Sequence, residues 1–247
     1  MRLRNLLVVT IGAILLAFFV ASIMAGHRGR ALASALYNDG KRLVVGDYRS
    51  LHVADLPIHF WGDSLTSGYG GSAWRDYPHM LQAIFQRRTV NLGIPKETSS
   101  DIKARFLQRP RIAGPESVVI WAGRNDSYLP DQVIANVGAM VASLNPGSKY
   151  LVLGVTTADM PNEFVGEPDH NSILKINAAL KAAYGERFVP INDLLLAKAN
   201  HRFEEDRLAV SRGTLPRSLR SDKLHLNDAG ALEVAVAVND AFVRLGW

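Results

Sequence analysis

Phe60-Trp61-Gly62-Asp63-Ser64-Leu65-Thr66-Ser67-Gly68-Tyr69-Gly70 sets a serine at a glycine-flanked turn directly after an apolar run. The residues leading into it, Pro57-Ile58-His59-Phe60-Trp61, read as a short buried strand. Gly62, Gly68, Gly70 and Gly71 let the backbone turn sharply and let a substrate come close. Ser64 is therefore expected at the carboxyl end of a strand, where open α/β sheets place their sites. Gly-Asp-Ser alone also makes ordinary turns in which Asp or Ser bonds nearby backbone. It gains weight from three motifs further along the chain.

Beyond this stretch, short apolar runs alternate with helical patterns. Strands are expected at Ile58–Trp61, Thr89–Leu92, Ser117–Trp121, Tyr150–Val155 and Phe188–Pro190. Helices are expected near Tyr77–Gln86, Ser100–Leu107, Pro130–Leu144, Asn171–Tyr184 and Asp228–Val243. Strands separated by helices of this length imply right-handed crossovers and a parallel sheet covered on both faces, a three-layer α/β domain over residues 57–247. Residues 27–56 are irregular, with a turn signal at Asn38-Asp39-Gly40, and read as a linker packing partly onto the domain.

The three motifs fall at expected strand ends or just before the last helix. Asn91-Leu92-Gly93-Ile94 offers a backbone N–H at Gly93, and Gly123-Arg124-Asn125-Asp126 offers a side-chain amide at Asn125. Acyl transfer needs such donors, because negative charge develops on the carbonyl oxygen in the tetrahedral intermediate. Each also has a plain structural account, as a turn glycine or as turn and capping residues. In Ser221-Asp222-Lys223-Leu224-His225-Leu226-Asn227, the carboxylate and imidazole stand three residues apart, close enough in a turn for Asp222 to orient His225. The order Ser64, Asp222, His225 is compatible with a catalytic triad. Asp76-Tyr77-Pro78-His79 has the same spacing, but Asp76 fits a helix cap and Pro78 the first helical position, so His225 is preferred over His79. His59 is expected to be packed within the first strand, and His27, His52 and His201 to lie on surface or linker. His170 either lines a pocket or belongs with Asp169 and Asn171 to the cap of the next helix.

Taken together, Gly62-Asp63-Ser64-Leu65, Gly93, Gly123-Arg124-Asn125-Asp126 and Asp222-Lys223-Leu224-His225 resemble the four blocks of the SGNH (GDSL-type) hydrolase superfamily, over about Pro57 to Leu245. The resemblance implies a flavodoxin-like sheet and an esterase that needs no metal and no other cofactor. It implies Ser64 as nucleophile, His225 as general base and acid, and Asp222 as its orienting partner. It also implies an oxyanion hole made by the N–H groups of Ser64 and Gly93 and the amide of Asn125. Arg124 and Lys223 place cations at variable positions of two blocks, which points to tolerance for an anionic substrate or product. Thr156–Asn171 is expected to form the rim of the pocket. Substrates implied are O-acetylated glycans, short acyl esters or lysolipids. An O-acyltransferase with the same triad, a catalytically silent binding protein, and a metal-dependent hydrolase using Asp63, Asp126, Asp222 and His225 are the alternatives.

Composition bounds these readings. The 247 residues, 48% hydrophobic and 21% charged, suffice for one ordinary folded domain after the apolar N-terminus. Zero cysteines exclude disulfides, thiolate metal sites and a cysteine nucleophile. After Met1-Arg2-Leu3-Arg4-Asn5, residues 6–26 carry no charge and are long enough to span a bilayer, which favours a retained signal anchor over a cleaved signal peptide. The catalytic domain is expected outside the cytoplasm, membrane-anchored, or secreted if cleavage occurs near Ala21-Ser22 or Ala25-Gly26. The net charge of +5 gathers in two basic stretches, Arg87–Arg111 and Arg202–Arg220. These read as solvated surface, or as contacts to anionic lipid or polysaccharide. Interspersed acids and the lack of a nucleic-acid module make nucleic acid the least expected partner.

Overall fold

A computed structural model of the chain describes residues 57–110 and 114–247; the apolar segment and the linker lie outside the described residues. Five strands, β1 (Ile58–Gly62), β2 (Thr89–Gly93), β3 (Ser117–Trp121), β4 (Lys149–Leu153) and β5 (Phe188–Val189), form one parallel sheet in the order β2-β1-β3-β4-β5. The chain leaves β1 for β2 on one side and returns to β3 on the other. The loops after β1 and β3 therefore diverge, and the crevice between them is where such sheets hold their sites. Gly62 is in register with both Gly93 and Trp121, so the three motifs leave the sheet at one level.

The alternation along each strand supplies two apolar faces. Trp61, Val118, Ile120 and Val152 pack with Ile102 and Phe106 of α3 (Ser99–Leu107), Val133, Val137 and Met140 of α4 (Pro130–Ala142), and Ile173 and Ile176 of α5 (Pro168–Tyr184). On the other face α2 (Tyr77–Phe85), α6 (Ile191–Leu196) and α8 (Asp228–Arg244) pack together. There the buried Tyr77 ring meets Phe60 and Trp121 edge-on at 5.4 and 5.5 Å. Both sheet faces are thus covered, as a parallel sheet requires. Two further helices are α1 (Ser64–Ser67), directly after β1, and α7 (Glu204–Ser211).

Element ends depart from the expected ones for local reasons. α3 starts one residue early because Thr98 and Asp101 form a reciprocal capping box. α4 stops at Ala142 because the Ser143 hydroxyl donates back to the Met140 carbonyl. α5 begins at Pro168 rather than Asn171, proline being suited to a first helical turn. Asp169, His170 and Asn171 therefore lie inside this helix instead of capping it, and the last part of the expected rim is helical. Between Pro190 and Asp228, where no helix is expected from the sequence, α6 and α7 form; their six and eight residues are too short to show a helical period. Glu204, Glu205 and Asp206, opening α7, were a readable start signal.

Candidate active site

Asp63 directly follows the strand and caps α1, its Oδ1 accepting the Leu65 N–H at 2.9 Å. Ser64 is thereby the first helical residue, with an N–H for which the helix itself has no acceptor. Asn91 clamps this turn to β2. Its Nδ2 donates to the Thr66 carbonyl at 2.8 Å and to Asp76 Oδ1 at 3.0 Å, and its Oδ1 accepts the Gly93 N–H at 2.9 Å. One of the three expected oxyanion donors, the Gly93 N–H, is thus bonded to Asn91. Glycine is required at 93 by packing: a Cβ there would lie 2.3 Å from the Ser67 nitrogen.

His225 reaches the serine from the far end of the chain. Its Nε2 is 3.1 Å from Ser64 Oγ, and its Nδ1 is 2.8 Å from Asp222 Oδ2. Asp222 Oδ1 accepts the N–H groups of Leu224 and His225, each at 2.7 Å, so one carboxylate holds both the turn and the ring. Burial raises the Asp222 carboxyl, but these hydrogen bonds outweigh it and hold it at about 2. Activity lost on acidification anywhere above pH 4 is accordingly expected to come from a group other than Asp222. A pH profile of kcat/KM with the same acid limb in wild type and Asp222→Asn, whatever the drop in rate, is the check. Tyr69, 59% exposed, lies over the imidazole with ring centroids 4.6 Å apart. Gly70 adopts φ +94, and a side chain there would come within 2.7 Å of His225 Cβ. Directly after the histidine, Asn227 caps α8 by accepting the N–H groups of Ala229 and Gly230.

Asn125 approaches from the loop after β3. Its Nδ2 donates one N–H to the Glu97 carbonyl at 2.8 Å, and the amide carries a second. Asp126 is buried and accepts the N–H and hydroxyl of Ser99, which ties that loop to the start of α3. Just before them Arg124 turns inward. It donates to the Thr156 carbonyl and forms a two-pronged ion pair with Glu163, itself bonded to the Ala158 N–H. Its charge is therefore committed to the fold and is not offered to an anionic substrate; Lys223 remains exposed.

Residues 60–232 match the GDSL-like lipase/acylhydrolase family model. The chain belongs to that family. No curated protein matches the sequence. Among solved structures, a G-D-S-L family lipolytic protein from Veillonella parvula superposes with a TM-score of 0.60 at 18% identity, over 76% of this chain and 99% of that one. A variant of the acetyl xylan esterase Axe2 from Geobacillus stearothermophilus gives 0.57 at 21% identity over 76% and 95%. The hydrolase LAE5 from the metagenome of Lake Arreo gives 0.58 at 21% over 78% and 97%. These likenesses are of fold. Family membership makes the protein an ester hydrolase.

Elsewhere in this GDSL-family hydrolase, the second Asp/His pair also forms. Asp76 caps α2 through the His79 N–H and holds His79 Nδ1 at 2.6 Å, and Pro78 is its second helical residue. It is His225, however, that meets Ser64. His59 is half-buried, and burial pushes its imidazole down. His170 is buried against the Glu163 carbonyl. Among the described residues no three metal-ligating side chains cluster. Asn91, Glu163 and Tyr69 are the parts whose roles sequence reasoning missed; Asn91, heading the motif that ends in Gly93-Ile94, and Tyr69, inside the glycine-rich turn, carried a positional signal.

Asp63 carries the largest titration effect near the serine. Burial drives its carboxyl up to about 7, against the Leu65 hydrogen bond and the Arg124 charge, which lower it, and its Oδ2 is buried without a partner. Between the ordinary value of 3.8 and about 7, the folded chain holds a proton that the unfolded chain has lost. This contribution is complete below the lower value and declines as pH rises through the upper one. The stability difference between wild type and Asp63→Asn is expected to shift toward the variant between pH 4 and 8, measured by urea unfolding. A pH-independent difference would contradict it.

Proposed function

We propose that the protein hydrolyses carboxylic esters through an acyl-enzyme, with Ser64 as nucleophile, His225 as general base and then acid, and Asp222 holding the imidazole. The observation that carries this is the run of contacts from Ser64 Oγ to His225 Nε2 at 3.1 Å and from Nδ1 to Asp222 at 2.8 Å. Nδ1 bonded to a carboxylate carries the proton, leaving Nε2 free to accept one from the serine. Ser64 Oγ attacks the carbonyl carbon, and the alkoxide that forms is met by the Ser64 N–H and the second Asn125 N–H. His225 passes its proton to the departing alcohol, then deprotonates the water that cleaves the acyl-serine bond. Asn125→Ala is expected to lower kcat by about 10²- to 10³-fold with KM little changed, read by steady-state kinetics beside an unchanged thermal midpoint.

The substrates that suit this site are short acyl esters, among them O-acetyl groups of envelope glycans. With Tyr69 and Asp222 exposed beside His225, the triad opens onto a shallow surface that a polymer reaches. The uncharged segment at residues 6–26 supports a membrane-anchored domain outside the cytoplasm. The same openness admits a sugar hydroxyl in place of water, which would make the protein an acyltransferase. Residues 31–247 assayed on p-nitrophenyl acetate, butyrate and octanoate with chelator present test the reading. Acetate is expected to be preferred, and analysis of products with added glycan separates transfer from hydrolysis. Octanoate as the best substrate would shift the assignment to lipid esters.

A further inference from the structure

The basic stretch Arg202–Arg220 does not spread over the surface. Three of its arginines, Arg212, Arg217 and Arg220, converge with Asp159 and Glu205 on a cavity of about 210 Å³ that Leu208 and Ala209 also line. Their states differ. Arg220 is buried and bonded through all three of its nitrogens: it donates to the Leu215 carbonyl at 3.0 Å, to the Asp222 carbonyl at 2.8 Å and to Asp159 Oδ2 at 2.7 Å. Arg217 donates one N–H to the Arg220 carbonyl. Arg212 lies over the Phe164 ring at 4.8 Å and meets Asp159 at only 3.5 Å. Each guanidinium has five N–H groups in a planar fork, so Arg212 and Arg217 keep most of theirs for a ligand. Asp159 balances Arg220, and Glu205 is exposed on α7 where water screens it.

We propose that this cavity binds a single oxyanion, a carboxylate or phosphate group, on Arg212 and Arg217. Planar guanidinium forks match the paired oxygens of such groups. The wall of the cavity is also the wall of the catalytic turn: besides the bond from Arg220 to the Asp222 carbonyl, the Asp159 N–H donates to the Lys223 carbonyl at 2.8 Å. An anion on the substrate, held here, would register the ester against the turn that carries His225.

The test begins with the Ser64→Ala protein, so that binding is read without turnover and stands apart from the proposed hydrolysis. Inorganic phosphate is titrated at constant ionic strength while the arginine side-chain N–H signals are followed by NMR. Saturable shifts are expected at Arg212 and Arg217, and the affinity read from the Arg220 signals, which the variant keeps, should fall at least tenfold in Arg212→Gln/Arg217→Gln. Glu205→Gln removes the opposing charge and is expected to tighten binding by about threefold, a gain that a misfolded variant cannot imitate. Shifts that never saturate, or binding unchanged by all three substitutions, would overturn the site. In the active protein, kcat/KM for an acetyl ester of glucuronate over that of glucose then separates the sources. A preference lost in the double variant places the anion on the substrate. Equal turnover of the two esters, with phosphate still bound, makes it a separate ligand.

Discussion

Replacing Ser64 by alanine is expected to lower ester hydrolysis by on the order of 10⁴- to 10⁶-fold while leaving the thermal midpoint within a degree or two. The hydroxyl donates one hydrogen bond, to the imidazole, and its removal leaves the Asp63 cap and the Asn91 clamp in place. The rate falls because no covalent intermediate forms. The residual rate comes from the oxyanion donors alone, so hydrolysis of p-nitrophenyl acetate by the variant should exceed that in buffer. His225→Ala should fall nearly as far, and the double variant no further, because the two act as one unit. Additive losses, or turnover that survives in Ser64→Ala, would show that another group attacks the ester.

Arg124→Ala is expected to have the largest effect on stability. Arg124 and Glu163 are 8% and 2% exposed, and removing one member leaves the other charge buried and unpaired. Such losses run to about 3–5 kcal/mol, or roughly 10 °C in thermal midpoint for a domain of this size. The damage should also be catalytic, since Arg124 joins the loop bearing Asn125 to the segment after β4. An Arg124→Met/Glu163→Leu double variant should recover most of the stability, as apolar replacement of a whole buried pair often does. If it recovers the midpoint but not kcat, the pair positions Asn125; recovery of both would make it structural only. A single variant as stable as wild type would show the pair to be idle.

How much of this was legible in the sequence depends on the reach of each interaction. Ser64, Gly93 and Asn125 could be placed on one sheet edge because each directly succeeds an apolar run, and a parallel sheet brings strand ends together. Asp222 and His225 could be paired because a turn of three residues suffices. What stayed hidden acts across the fold. Glu163 is 39 residues from Arg124 and closes a single 3₁₀ turn, Pro161–Glu163, too short to show a period, so nothing local marks it as a partner. The direction of the Gly93 N–H depends on Asn91, two residues earlier, turning its amide back on its own strand. The sequence motif said that a donor was there but not where it was aimed.

Ser64 and His225 are 161 residues apart, and α8 starts just beyond the histidine. On the ribosome the nucleophile is made first. At roughly 5–20 residues per second, its base arrives about 8–30 s later. Until then the serine is an ordinary alcohol, and the nascent chain cannot consume the esters around it. A serine-directed fluorophosphonate would therefore label only finished, folded molecules, which turns the triad into a built-in gauge of maturation during synthesis.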